Sequence, residues 1–340
     1  MSRMPVGAVN EPRRRSAAAR FVIRLVTEKP LGAASGVVIL MVILVAVFGD
    51  AMSPYPYAEL HLVDRLQGPS ARYLLGTDQA GRDLLSRLIF GARVSVLVGV
   101  SVTTISVFIS TVIGGVSGFV GGKLDLGVQR FVDAWMAFPG LLLLLTLIAI
   151  VGEGLLQIIL VMGISGGIGG ARVIRGAVIA IKENAYFDVA EAVGSSRWRS
   201  LLRHVVPNIT PVIIISFSTS IGGVIMALAA LGFLGFGLPA TIPDWGGMLS
   251  REGRKYMEQA PWLALWPGLC LTIVVYSFNM LGDAVRDLLD PRLRGATTLR
   301  GGVGRLGANA AKSVSETPHR ATRGSAGASG PPTNVRKRRP

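Results

Sequence analysis

An all-α polytopic membrane protein with six transmembrane helices is the fold class that this sequence predicts, and three observations carry it. Half of the 340 residues are hydrophobic and 16% are charged. The resulting mean hydropathy of +0.52 is too apolar for a soluble domain of this length. Glycine is abundant, with 43 residues, while aromatics make up 7%, a pairing that suits closely packed membrane helices better than a core built on large rings. Six apolar runs also recur along the chain, and a bilayer core of about 30 Å needs roughly 20 such residues per helix.

The first run, Leu31 to Phe48, follows Lys29-Pro30. A signal peptide is the rival reading, but no A-x-A-like site follows and the basic lead-in is long. The second run spans about Val94 to Val120, the third Phe138 to Val151 and the fourth Leu155 to Gly170. Only Gly152-Glu153-Gly154 separates the third from the fourth, which predicts a tight turn with Glu153 at a membrane surface. The fifth covers about Ile209 to Phe236 and the sixth Trp262 to Leu281.

The net charge of +15 sits mostly at the two ends, so it does not describe a basic face for nucleic acid. Seven Lys and Arg precede the first run, six lie between Ala171 and Asn208, and Arg286, Arg292 and Arg294 follow the sixth. Six spans put these three segments on one side, which the positive-inside rule makes cytoplasmic. The opposite segments, Asp50 to Gly91 and Gly237 to Pro261, show no basic excess. After Leu299 a Gly-, Ala-, Ser- and Pro-rich stretch carries nine basic residues against Glu316 alone, a composition that cannot bury enough apolar surface to fold by itself. Both basic termini are read as cytoplasmic tails, the N-terminal one covering residues 1–30 and a disordered C-terminal one residues 291–340, with membrane lipid as a partner and anionic lipid attracted by the nine basic residues of the C-terminal one.

Little in the chain points to catalysis. There is no G-x-x-x-x-G-K-[ST] phosphate loop. Gly163-Ile-Ser165-Gly166 has the look of an intramembrane serine protease signature, but none of the three histidines, His61, His204 and His319, lies within a span to act as its base. Those histidines and the single cysteine, Cys270, are too scattered for a metal site.

The polar segment between the fourth and fifth runs is patterned. Phe187, Ala190 and Gly194 share one helical stripe, and Gly194 can end that helix. Ser195 or Ser196 can cap a second helix whose Trp198, Leu201, Leu202 and Val205 form an apolar face, with Pro207 as its stop. On physics alone this is either an interfacial amphipathic linker or a protruding pair of helices that docks on a cytoplasmic partner. Further upstream, Thr77 or Asp78 can cap a surface helix with Leu84, Leu85, Leu88 and Ile89 on one side and Arg82 and Arg87 on another. Gly232, Gly235 and Gly237 read as close helix packing.

Asp188-Val189-Ala190, then Gly194, then His204-Val-Val-Pro207 resembles the EAA loop of ABC importer permeases, with Asp188 where glutamate is usual and Val189 where the first alanine is usual. Leu75 to Arg93 (LGTDQAGRDLLSRLIFGAR), Ala230 to Gly237, Asp244 to Leu249, Ala260 to Ala264 and Gly282 to Leu293 resemble, in order, the C-type subunit of the dipeptide, oligopeptide and nickel importers. The resemblance implies a type I ABC importer permease core: residues 31–90 as first helix and extracytoplasmic segment, and 91–290 as five further helices with a cytoplasmic coupling loop at 171–208. It implies Phe187, Asp188, Ala190, Glu191, Gly194, Trp198 and Leu201 as the surface that meets the ATPases. It further implies a heterodimer with a second permease subunit, two ABC ATPase subunits and an extracytoplasmic solute-binding protein in a prokaryotic inner membrane. Peptides or a nickel chelate would be the cargo, and no cofactor, metal or catalytic residue would belong to this chain. The competing class is a self-contained secondary transporter or channel, but the centres of the six runs carry no Lys, Arg, Asp or Glu of the kind that ion-coupled carriers use.

Overall fold

Proline, glycine and two capping aspartates set most of the helix boundaries in the computed structural model, which describes residues 17–183, 199 and 201–289. The residues from Pro291 to Pro340 form a separate unit that lies outside the described residues. Helix α1, Ala17–Glu28, occupies part of the segment expected to be only a basic tail. Lys29 alone separates it from α2, Pro30–Met52, where proline in the first turn costs no intrahelical hydrogen bond. An extended segment with one short 3₁₀ turn, Leu62–Asp64, leads to α3, Leu84–Val120.

At 37 residues α3 is about 55 Å long, well beyond a bilayer core. The second span therefore begins ten residues before the apolar run does. Its cap is neither Thr77 nor Asp78 but Asp83, whose carboxylate accepts from the Ser86 amide at 2.8 Å and the Ser86 hydroxyl at 2.6 Å. Gly121 and Gly122, at φ +70° and +61°, turn the chain into α4, Gly122–Met136. Pro139 precedes α5, Gly140–Val151, and α4 and α5 meet at 89°. Gly152, at φ +96°, then makes the expected turn, with Glu153 exposed, into α6, Leu155–Lys182.

The sequence places a loop from residue 171, yet α6 runs on to Lys182. Pro207 likewise begins a helix instead of ending one. A π-helical turn, Leu201–Val205, feeds directly into α7, Val206–Phe233, and proline in the first turn of α7 needs no amide partner there. Helix α8, Trp245–Met248, continues into a π-helical turn, Leu249–Gly253, and α9, Trp262–Leu289, ends the described chain.

Among the described residues, five helical stretches are long and apolar enough to cross a membrane: α2, α3, α6, Leu201–Phe233 and α9. The third run appears as part of the bent α4–α5 pair, in which α5 alone, at 12 residues or about 18 Å, is too short to span. Among the described residues there is no strand beyond a single bridge between Thr77 and Asp83. Large apolar side chains such as Leu40, Phe108 and Ile150 point outward, as a lipid solvent requires.

Glycine governs how the spans meet. Gly163, Gly167 and Gly170 of α6 face Ile105, Ile109 and Ser110 of α3; a methyl on Gly167 would lie 2.6 Å from Ile109. From the other side, a methyl on Gly114 would run into the Ala171 carbonyl and come within 2.9 Å of the Arg175 amide nitrogen. The helices thus approach nearly backbone to backbone, gaining the dispersion contacts that replace the hydrophobic effect inside a membrane. Gly222 against Asn279 and Gly282 against the Ser218 carbonyl bring α7 and α9 together in the same way, and Gly32 against Ala284 seats α2 on α9.

Gly114→Ala is expected to destabilise the protein by about 1–3 kcal/mol, because the obstacle is backbone that cannot move aside. Gly115→Ala, at a position with nothing within 4 Å, is the matched control and should be neutral or slightly stabilising. Thermal unfolding of the two variants in detergent checks both.

Candidate functional site

The small faces of α3, α6 and α7 leave room that larger side chains would close. A cavity of about 550 Å³ lies among them, lined by Val102 and Ser106 of α3, Met162, Ser165, Gly166 and Gly169 of α6, and Ser220, Gly223, Val224 and Ala227 of α7. The α4–α5 bend completes the wall with Trp135, Met136, Phe138, Gly140, Leu143 and Leu144. None of these side chains titrates. Ser165 therefore has no base among the lining residues, and the wall can hold or pass a solute through apolar contact and neutral hydroxyls.

Ion pairs fix the bend. Arg175 on α6 donates from Nε and Nη2 to the two oxygens of Asp125 on α4, at 2.7 and 2.6 Å, and Arg172 pairs with Asp133 one face along. Lys182 closes the end of α6 on α3, donating to the Phe119 carbonyl at 2.6 Å with its ammonium 5.5 Å from the ring centre. These three cations were counted in a loop from sequence. They are helical, and Arg172 and Arg175 hold α4 so that Trp135 and Met136 reach the cavity.

At the other end of the bundle, charges are buried. Arg87, on the first turn of α3, is fully enclosed, contrary to the surface helix that its spacing suggests. Its Nη2 lies 3.3 Å from Glu252 Oε1 and its Nε 3.6 Å from Asp78 Oδ2. Arg82 bridges the same two carboxylates at 3.3 and 2.6 Å, and Gln79 donates to Glu252 at 3.4 Å. Beside them Asp244 caps α8, accepting from the Gly246 and Gly247 amides at 3.0 and 3.1 Å. Burial pushes the Glu252 and Asp244 carboxyls above their usual range, against the pull of Arg87 and Arg82 on the one and of the two amides and Arg251 on the other. Nearby, Tyr73 donates to Asp64 at 2.8 Å and thereby holds that carboxyl below the usual range, with Arg72 adding to the effect.

Tryptophans close the cluster. Trp245 donates from Nε1 to the Leu88 carbonyl at 3.2 Å and presses on Gly91; Trp262 donates to the Thr77 carbonyl at 3.4 Å beside Gly76, which stands at φ +87°. Gly232 packs on the Gly247 amide and on Gly237, so these two glycines serve backbone approach, while Gly235 makes a left-handed turn at φ +87°. The motifs at 75–93, 230–237, 244–249 and 260–264 thus converge on one structure, a clasp between the α2–α3 and α7–α9 connections.

Of the residues assigned to an ATPase-coupling surface, Phe187, Asp188, Ala190, Glu191, Gly194 and Trp198 lie outside the described residues. Leu201 is described and is buried with Phe119, Ile174, Val178, Val205 and Ile209. The cavity wall was missed from sequence. Its signal was the Gly-Ser pattern of residues 163–170, read there only as a possible nucleophile motif.

Comparison with known proteins places this architecture. The family model described as binding-protein-dependent transport system inner membrane component matches residues 110–295. The chain is 37% identical over 258 residues to a dipeptide transport system permease protein of Alkalihalophilus pseudofirmus, covering 76% of this chain and 84% of the relative. It is 36% identical over 262 residues to a glutathione transport system permease protein of Pectobacterium atrosepticum, covering 77% and 87%. An oligopeptide transport system permease protein of Bacillus subtilis is 35% identical over 258 residues, covering 76% and 84%.

Arg87→Met should cost about 3–5 kcal/mol, since it strands the buried carboxylate of Glu252. Adding Glu252→Met should restore much of that loss, leaving Asp78 with Arg82. A double-mutant cycle on thermal unfolding reads the coupling.

Proposed function

The chain belongs to the family of binding-protein-dependent transport system inner membrane components, and on that premise we propose that it forms half of the translocation pathway of an ABC importer for peptides. The observation that carries this reading is the uncharged, small-residue cavity walled by α3, α6, α7 and the α4–α5 bend. It suits a solute that is handed over whole and unmodified. Relatives named for dipeptides, oligopeptides and glutathione support peptide cargo.

As a multi-pass inner membrane permease, the protein works with ATPase and solute-binding partners. The finer assembly is our proposal: a second, non-identical permease supplies the other half of the wall, two ATPases dock on the segment around Asp188, Ala190 and Gly194, and hydrolysis takes place in those chains. The basic residues of the N-terminal segment and of residues 172–203 support a cytoplasmic position for both termini. The buried clasp then faces the extracytoplasmic side, where a loaded binding protein arrives. Movement at the ATPases reaches the cavity through Leu201 and the π-helical turn that starts α7, a coupling of the roughly 1–3 kcal/mol usual between linked sites.

Three experiments test these statements. Gly169 and Gly223 line the cavity and have nothing within 4 Å of an added Cβ, so Gly169→Phe and Gly223→Phe should fill the path without disturbing packing. Peptide uptake in reconstituted vesicles should be abolished while assembly is kept; normal uptake would place the path elsewhere. For the coupling surface, Gly194→Val or Ala190→Arg should leave the chain inserted but either weaken ATPase copurification or uncouple solute-stimulated hydrolysis from uptake. Normal stimulation with normal uptake in both variants would reduce the segment to a linker. For orientation, reporter fusions after Gly68 and Asp244 should read outside and those after Arg197 and Arg305 inside, and an external signal at Arg197 would overturn the topology.

A further inference from the structure

Helix α1 has no place in the pathway just described, and its residues are patterned for a different surrounding. Phe21 and Leu25 turn toward the protein, where Leu25 comes within 3.5 Å of a methyl placed on Gly32. Val22, Ile23 and Val26 occupy the next sector, and they remain 56%, 40% and 55% exposed. Arg20, Arg24, Thr27 and Glu28 fill the remaining arc, so the helix has one broad apolar side and one polar side. Arg24 is engaged locally, with Glu28 at 2.8 Å, whereas Arg20 is exposed.

Two further observations say what covers the apolar arc. Only Lys29 separates α1 from the apolar span α2, and that lysine is bonded to Asp287 of α9 at 2.5 Å, so α1 is held at the mouth of the bilayer. The chain leading into it is also basic, with Arg13, Arg14 and Arg15 in succession against Glu11. A protein groove for three aliphatic side chains would not call for such a run of one sign. A bilayer surface bearing negative headgroups does.

We infer that α1 is an interfacial anchor: Val22, Ile23 and Val26 lie among the upper acyl carbons, and Arg20 contacts anionic phospholipid headgroups. The geometry is that of a helix lying in the membrane plane, its apolar face sunk about 5–10 Å below the headgroup boundary. The polar arc then faces water, with Arg24 near its centre and Thr27 at its edge beside Ile23. This rests on α2 being the first span, and the test separates the two statements.

The test uses the full-length chain in complex with its partner subunits, in nanodiscs, with Cys270→Ala as background because Cys270 is the only cysteine. Spin labels are placed singly at Val22, Val26, Arg24 and, as a control for the span, Leu40. In membranes containing about one third phosphatidylglycerol, a fraction chosen to supply the negative surface that attracts basic segments, labels at Val22 and Val26 should collide with oxygen and be shielded from a water-soluble nickel chelate. The Arg24 label should do the reverse. In pure phosphatidylcholine the shielded population at Val22 should fall, by about fivefold for each headgroup-contacting arginine. Arg20→Gln should reproduce one such step in the anionic membrane. The inference is overturned if Val22 and Val26 are open to nickel while Leu40 is shielded, or if shielding is the same in both lipids. It is also overturned if shielding appears only when the ATPases are bound, which would give the face to a protein. A nickel-accessible Leu40 would instead remove the span on which the inference rests.

Discussion

The near-contact of backbones between α3 and α6 is the constraint on which the other helices depend. In lipid there is no water to expel, so two apolar helices gain by touching closely and lose when a side chain holds them apart. Gly114 beside Ala171, and Gly167 beside Ile109, allow that closeness. Once α3 and α6 are joined, Val98 and Val102 of α3 share a core with Ile158 and Met162 of α6 and Leu228 of α7. The void beside that core is lined by other small residues of the same helices, Ser106, Ser165, Gly166, Gly169 and Gly223, so packing and passage use neighbouring but different positions.

The clasp follows another logic. Burying Asp78, Arg82, Arg87 and Glu252 costs several kcal/mol of desolvation per charge, and replacing such a network by apolar residues often stabilises a protein. What the network supplies is registry. Arg87 can be satisfied only if the connection before α3 and the one before α9 meet at one position, since Glu252 stands 165 residues away. Trp245 closes on the Leu88 carbonyl at the start of α3 and Trp262 on the Thr77 carbonyl before it, and both make the same demand. The long extension of α3 beyond the bilayer core is what carries this meeting point clear of the lipid.

The apolar spans were legible because each is a local pattern, and so were the turn at Gly152-Glu153-Gly154 and the packing role of Gly232 and Gly237. The misplaced boundaries share one cause. Charged residues were read as surface or loop when their partners were out of view: Arg87 was put on a separate surface helix although Glu252 receives it in the first turn of α3, and Arg172 and Arg175 in a loop although Asp133 and Asp125 receive them on α6. Pro207 was read as a stop, though a π-helical turn before it lets the chain continue. The cavity could not be found from one helix at a time. Ser106, Ser165 and Ser220 are ordinary residues of three separate runs, and only the fold turns them toward a common space.

The pairing of α2 with α9 has a consequence for how the protein is made. Lys29 and Asp287 are 258 residues apart, and Gly32 rests on Ala284, so the first span finds its neighbour only when the last has left the ribosome. Until then the α9-facing side of α2 is turned to lipid or to the insertion machinery, held there without a mate. A nascent chain that stops short of α9 is therefore recognisable in the membrane as unfinished, because its opening helix still displays a side meant for its closing one.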